Sequence, residues 1–170
     1  MSIAVVVGNP KAGSRTLRVA LAVADAFRGT VPGDATDPYV VDLAVLGHEL
    51  FDFESPAVAA ALDAVAHSGL LVVASPTYKA TYTGLLKSFF DRYGNDALAG
   101  TVSIPVMTGA APVHALAPEV HLRPLLVELG SSTPTRGLFV TEQQFEDLDA
   151  VVASWARAAR PLVERALRER

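Results

Sequence analysis

The chain has 170 residues, a net charge of −4, 51% apolar side chains, 19% charged ones and no cysteine. That length suits one domain with a sizeable core, and the apolar content excludes a disordered chain. The acidic balance argues against nucleic-acid or anionic-membrane surfaces, and the missing thiols exclude disulfides, thiolate zinc sites and cysteine nucleophiles.

Apolar runs alternate with amphipathic stretches along the whole chain. Ile3-Ala4-Val5-Val6-Val7 reads as a buried strand over about residues 3–8, followed by a helix near 15–28 with a stripe of Leu17, Ala20, Leu21, Ala24 and Phe27 that Gly29 ends. A turn-rich segment with Pro32, Gly33, Asp34 and Pro38 leads to a second strand near 39–43, and Val45–Glu54 reads as irregular. Ser55-Pro56 fits an N-cap with proline in the first turn of a helix running to about His67. Leu70–Ala74 has no alternation, as a central parallel strand covered on both faces requires. A loop over Ser75–Gly84 precedes a helix carrying Leu85, Leu86, Phe89, Phe90 and Tyr93, with Gly94 as its stop and Lys87–Asp91 as an ordinary helical ion pair.

The fourth strand falls near 101–108, and 114–129 is helical in pattern, with a start near Pro118 or a kink at Pro124. After a fifth strand near 136–141, Thr141-Glu142-Gln143-Gln144 fits a capping box opening the last helix. Its stripe is Leu148, Val152, Trp155, Ala159 and Leu162, Pro161 is a kink point, and its terminal arginines (157, 160, 165, 168, 170) read as a solvated, dipole-compensating face. Strands and helices in this alternation specify a doubly wound α/β sandwich, which binds ligands off the strand C-termini at the switch in strand order. Neither a membrane span nor a signal peptide is evident, so cytoplasm is the expected compartment. The apolar surplus points to a buried subunit interface.

The loop after the first strand, Gly8–Thr16, is neither a Gly-x-Gly-x-x-Gly turn nor a Walker A loop. It offers instead a cup for one terminal phosphate, built from the hydroxyls of Ser14 and Thr16, converging amides of residues 13–16, and the cations Lys11 and Arg15. The same residues also fit a plain helix cap with solvated cations; their place directly after a buried strand, between Gly8 and Gly13, favours the phosphate. In the next loop, Pro76-Thr77-Tyr78-Lys79 supplies an aromatic face, a cation and hydroxyls, although Tyr78 could equally pack beneath it. Thr108-Gly109-Ala110 lets backbone amides approach a flat ligand, or makes an ordinary strand-to-helix turn. His114 suits a ring contact or a helix cap, and no third ligand joins His114 and His121, so no metal is expected.

Together Gly8–Thr16, Ser75–Ala80 with Gly84–Asp91, and Thr108–Ala110 with His114 resemble the NADPH-dependent FMN reductases of the flavodoxin-like superfamily. The likeness is nearest to the branch that supplies reduced flavin to two-component sulfonate monooxygenases, and it spans most of the chain in order. It implies one flavodoxin-like three-layer FMN-binding domain over residues 1–170, with a five-stranded parallel sheet in the order 2-1-3-4-5. It further implies hydride transfer from NADPH (or NADH) to FMN, a monooxygenase partner, and a homodimer or homotetramer through the apolar helix after the middle loop. By position, Lys11, Ser14, Arg15 and Thr16 would hold the phosphate, Pro76, Thr77, Tyr78 and Lys79 the ribityl chain and ring edge, and Thr108, Gly109 and Ala110 the pyrimidine end, with His114 beside them. The flavin carries the reactivity, so no catalytic side-chain dyad is expected. The cation for an NADPH 2′-phosphate would come from Arg15, Lys79, Arg92 or Arg123.

Two departures stand out. Lys11 occupies the usual arginine position, and Glu119–Pro124 lacks the inserted tyrosine of some relatives, on which a helical bulge and a flavin-transfer role would rest. The rival readings are a reductase of quinones, azo dyes or chelated metals with tightly held FMN, and a flavodoxin-type electron carrier without turnover. A charge of only −4, with cations in the phosphate loop, speaks against the carrier.

Overall fold

The computed structural model describes residues 2–31 and 37–169. The turn expected at Pro32, Gly33 and Asp34, and the terminal Arg170, lie outside the described residues. Five parallel strands, β1 (Ile3–Val7), β2 (Tyr39–Asp42), β3 (Leu70–Pro76), β4 (Val102–Gly109) and β5 (Leu138–Thr141), form one sheet in the order β2-β1-β3-β4-β5.

Alternation within β1 explains the layers. Ile3, Val5 and Val7 point into one apolar core with α1 (Arg15–Ala26) and α6 (Leu148–Arg168). Ala4 and Val6 point into a second core with α3 (Pro56–Ala66), α4 (Gly84–Phe90) and α5 (Arg123–Glu128). Both faces of the sheet are thus dry, and the central strands carry branched aliphatics throughout. Helix starts follow local chemistry: Ser14, Ser55 and Thr83 each accept a bond from the amide three residues on, at 3.2, 3.2 and 3.1 Å.

Several expectations are corrected. A four-residue helix, α2 (Leu43–Leu46), which Asp42 caps through Ala44 N at 3.3 Å, takes the expected last residue of the second strand and the first residues of the stretch expected to be irregular. The stretch 114–129 does start its helical run at Pro118, as expected, but opens it with a π-helical turn (Pro118–Leu122) that runs into α5, and a separate 3-10 turn (Pro112–His114) precedes it. Proline chemistry accounts for the π turn: Pro124 has no N–H to offer the carbonyl four residues back, and Arg123 N reaches Pro118 O, five residues back. A bulge is therefore present without the tyrosine. The capping box closes a separate 3-10 turn (Glu142–Phe145), where Thr141 N meets Gln144 Oε1 at 2.9 Å, and α6 starts only at Leu148.

The buried face of α6 drifts from the expected stripe to Ala156, Val163 and Leu167, leaving Leu162 exposed. Arg160 is not a solvated terminal charge: it bonds Thr30 Oγ1 at 2.8 Å and Ala26 O, closing the C-terminus of α1. Leu86, Phe89 and Phe90 of α4 are spent in the chain's own core, so the width of that apolar face is no evidence of a subunit contact.

Candidate functional site

At the switch point between β1 and β3 the chain leaves β1 through Gly8, whose amide still bonds Ala74 O at 2.8 Å. The loop then folds on itself. Asn9 Oδ1 accepts Lys11 N at 2.9 Å, and Asn9 Nδ2 donates to Thr16 Oγ1 at 3.1 Å. Gly13 takes a left-handed φ of 63° that turns the backbone into α1. Its amide is not free for a ligand, because Asp42 Oδ2 accepts it at 3.0 Å; the converging donors begin one residue later than expected. Among the described residues the amides of Ser14, Arg15 and Thr16 have no acceptor, as a helix start dictates. Ser14 Oγ accepts from Leu17 N, so its own proton stays available. Thr16 Oγ1 is committed to Asn9 and, at 3.0 Å, to Thr108 Oγ1, which ties the cup to β4.

The loop after β3 is pinned from below. Thr83 N donates to Ser75 Oγ at 3.1 Å, Thr83 Oγ1 donates to Gly8 O at 2.5 Å, and Thr77 N donates to Thr108 O at 2.7 Å. Tyr78 and Thr81 exchange backbone bonds of 2.8 and 3.2 Å around Lys79 and Ala80, both at positive φ (52° and 69°). Such a turn is strained for side chains other than glycine, and it leaves Tyr78 half exposed beside the cleft. Thr77 Oγ1 is buried in the wall of the cleft with no partner among the described residues. The amides of Ala110 and Ala111 likewise have none.

Of the twelve residues singled out from sequence, ten line one cleft of about 460 Å³: Lys11, Ser14, Arg15, Thr16, Pro76, Thr77, Tyr78, Thr108, Gly109 and Ala110. Lys79 and His114 stand outside its wall. Two lining residues, Glu142 and Phe145, come from the turn after β5 and were missed, because the capping-box reading absorbed them into α6. Arg15 Nη2 meets Glu142 Oε1 at 2.5 Å, and its guanidinium carbon lies 5.3 Å from the centroid of the Phe145 ring.

The structure also sorts the other cations. Arg92 is clamped by the carbonyls of Leu50, Asp52 and Phe53 and lies over the Phe53 ring. Arg123 is consumed by Glu119 at 2.7 Å and by Thr133 and Thr135. Both are structural and leave the list of 2′-phosphate candidates. The Arg123 guanidinium hydrogen-bonded to Glu119 holds that carboxyl below its ordinary value, against a desolvation effect that would raise it.

This arrangement can hold a monoester dianion at the α1 start, on amides, the Ser14 hydroxyl and two cations, with a flat group extending between Tyr78 and the β4 loop. The donor set fits a flavin mononucleotide. A family model described as NADPH-dependent FMN reductase matches residues 1–146. An "FMN reductase (NADPH)" of Pseudomonas aeruginosa is 32% identical over 166 residues, covering 96% of this chain and 89% of that one. An "NADH-dependent FMN reductase SfnF" of Pseudomonas fluorescens is 36% identical over 136 residues, 79% of this chain and 73% of its own. Among solved structures, an NADH:FMN oxidoreductase (EMOB) in its apo form matches with TM-score 0.82 at 30% identity, over 94% of this chain and 88% of that one. An oxidoreductase from Corynebacterium diphtheriae matches with TM-score 0.84 at 26% identity, over 100% and 98%.

Proposed function

The chain belongs to the NADPH-dependent FMN reductase family, and from that premise we infer that it is an NAD(P)H-dependent FMN reductase working at the cleft between β1, β3 and β4. The observation that carries this reading is the set of unpaired donors at the α1 start, facing the same cleft as Tyr78 and the β4 loop. When bound, FMN supplies the redox chemistry by accepting a hydride from the nicotinamide. The amides of Ser14, Arg15 and Thr16, the Ser14 hydroxyl and the Lys11 and Arg15 cations would hold the phosphate. Pro76, Thr77 and Tyr78 would border the ribityl chain and ring edge, and Thr108, Gly109 and Ala110 the pyrimidine end. There the free amides of Ala110 and Ala111 would stabilise negative charge as it develops. Lys79 and His114, outside the cleft wall, receive no flavin contact in this assignment.

Alignment of two bound rings needs no side-chain acid or base. We place the protein in the cytoplasm, upstream of a monooxygenase that consumes reduced FMN; the half-exposed Tyr78 suits a flavin that enters and leaves. Among the described residues no helix is long and apolar enough to cross a membrane. We also propose a homodimer or homotetramer, supported by the exposed apolar side chains Phe51, Phe53, Val113 and Leu116. To test the activity, purified protein is mixed with FMN and NADPH, then NADH, and the nicotinamide absorbance is followed. FMN-dependent oxidation is expected. Absence of it with both nucleotides would defeat the assignment.

A further inference from the structure

Arg15 is the one arginine of the phosphate cup, and it is already engaged. Glu142 takes its guanidinium at 2.5 Å, and the Phe145 ring lies against it at 5.3 Å. Both partners belong to the 3-10 turn after β5, and both line the cleft that Lys11, Ser14 and Thr16 line. That turn is built to present them. Thr141 N and Oγ1 hold Gln144 Oε1 at 2.9 and 3.1 Å, and Arg18 reaches Phe145 O at 3.5 Å. An entering dianion must therefore take Arg15 from Glu142 or lie beside a carboxylate that has kept it. Either course weakens binding. The exchange is accessible, because the two side chains are 63% and 50% exposed, and pairs so exposed are weak. Lys11 has no ion pair among the described residues and remains free to draw the phosphate in.

We propose that Glu142 is a positioning residue that holds Arg15 as a latch, displaced by the flavin phosphate, and so keeps FMN exchangeable. The proposal rests on the phosphate-cup reading above. The test measures dissociation constants for FMN and riboflavin, by quenching of flavin fluorescence, in the full chain and in Glu142→Gln, Arg15→Gln and the double variant. Glu142→Gln is expected to tighten FMN by about twofold to fivefold, the worth of an exposed ion pair, and to leave riboflavin unchanged, because riboflavin has no phosphate. The gain should vanish in the Arg15→Gln background. Unchanged FMN affinity in Glu142→Gln would overturn the latch. So would equal tightening without Arg15, which would make Glu142 a direct repeller instead. If the unaltered protein bound riboflavin as well as FMN, the phosphate cup itself would fall, a result separable from the other two. Thermal melts of each variant confirm that the exposed substitutions leave the fold in place.

Discussion

Gly8 and Gly13 bracket the phosphate loop for different physical reasons, and alanine at each position separates them. A Cβ on Gly8 would stand 2.4 Å from Leu86 Cβ, 2.9 Å from its Cδ1 and 3.1 Å from its Cα. Leu86 is fully buried and cannot swing away, so α4 itself would have to retreat. That retreat would also pull Thr83 Oγ1 from Gly8 O, a 2.5 Å buried bond. Overpacking costs about 1–3 kcal/mol and a lost buried hydrogen bond a further ~1–3 kcal/mol, so about 3–5 kcal/mol is expected for Gly8→Ala. For a chain of this size that lowers Tm by roughly 8–15 °C. Gly13 has open space around it, with nothing within 4 Å, and needs glycine only for its φ of 63°. Gly13→Ala should cost about 1 kcal/mol, or roughly 2–4 °C. Thermal and urea unfolding followed by circular dichroism measure both. If Gly8→Ala were no more harmful than Gly13→Ala, the packing of α4 against the end of β1 would not be what the distances imply.

Ser14→Asp keeps a good N-cap, so stability should stay within about 0.5 kcal/mol while FMN affinity falls by roughly a hundredfold or more through repulsion of the phosphate; isothermal titration with FMN and riboflavin checks this, and unchanged FMN affinity would refute the cup. Arg123→Met should cost about 2–3 kcal/mol by orphaning Glu119 and the Thr133 and Thr135 carbonyls, with KM for NADPH unaltered. Because the folded Glu119 carboxyl titrates below its ordinary 4.5, its contribution is present above that pH and is lost as pH falls through the depressed value. Urea melts at pH about 6 and about 3.5 should therefore show a smaller acid loss in Arg123→Met than in the parent. Thr77→Val removes a buried hydroxyl that has no partner among the described residues, so the flavin-free protein should gain up to about 1 kcal/mol, and a loss in thermal melts would show that the hydroxyl is satisfied.

Much of the architecture was written locally. Leu70–Ala74 lacks alternation because it feeds two cores, and that alone marked it as a central parallel strand; Ile3–Val7, which feeds the same two cores, was legible as a buried strand. Ser14 and Ser55 declared their helix starts through side chains that reach only three residues ahead. Pro118 and Pro124 announced that the stretch 114–129 could not be one regular helix, since a missing N–H is a property of the residue itself. The donor-rich loop from Gly8 to Thr16 was legible for the same reason: its residues are contiguous.

Contacts that span long stretches of chain were decided only in three dimensions. Asp42 takes the Gly13 amide across 29 residues, and Glu142 takes Arg15 across 127. Arg160 reads as a helix-end charge until α6 packs beside α1 and delivers it to Thr30 and Ala26. Leu86, Phe89 and Phe90 look like surface to spare until the second core claims them. Sequence alone determined which segments become strands, helices and donor-rich loops, because propensity, capping and periodicity act over a few residues. Which charge meets which, and which donors stay free for a ligand, came from how the sheet order and helix packing bring distant side chains within a few ångströms of one another.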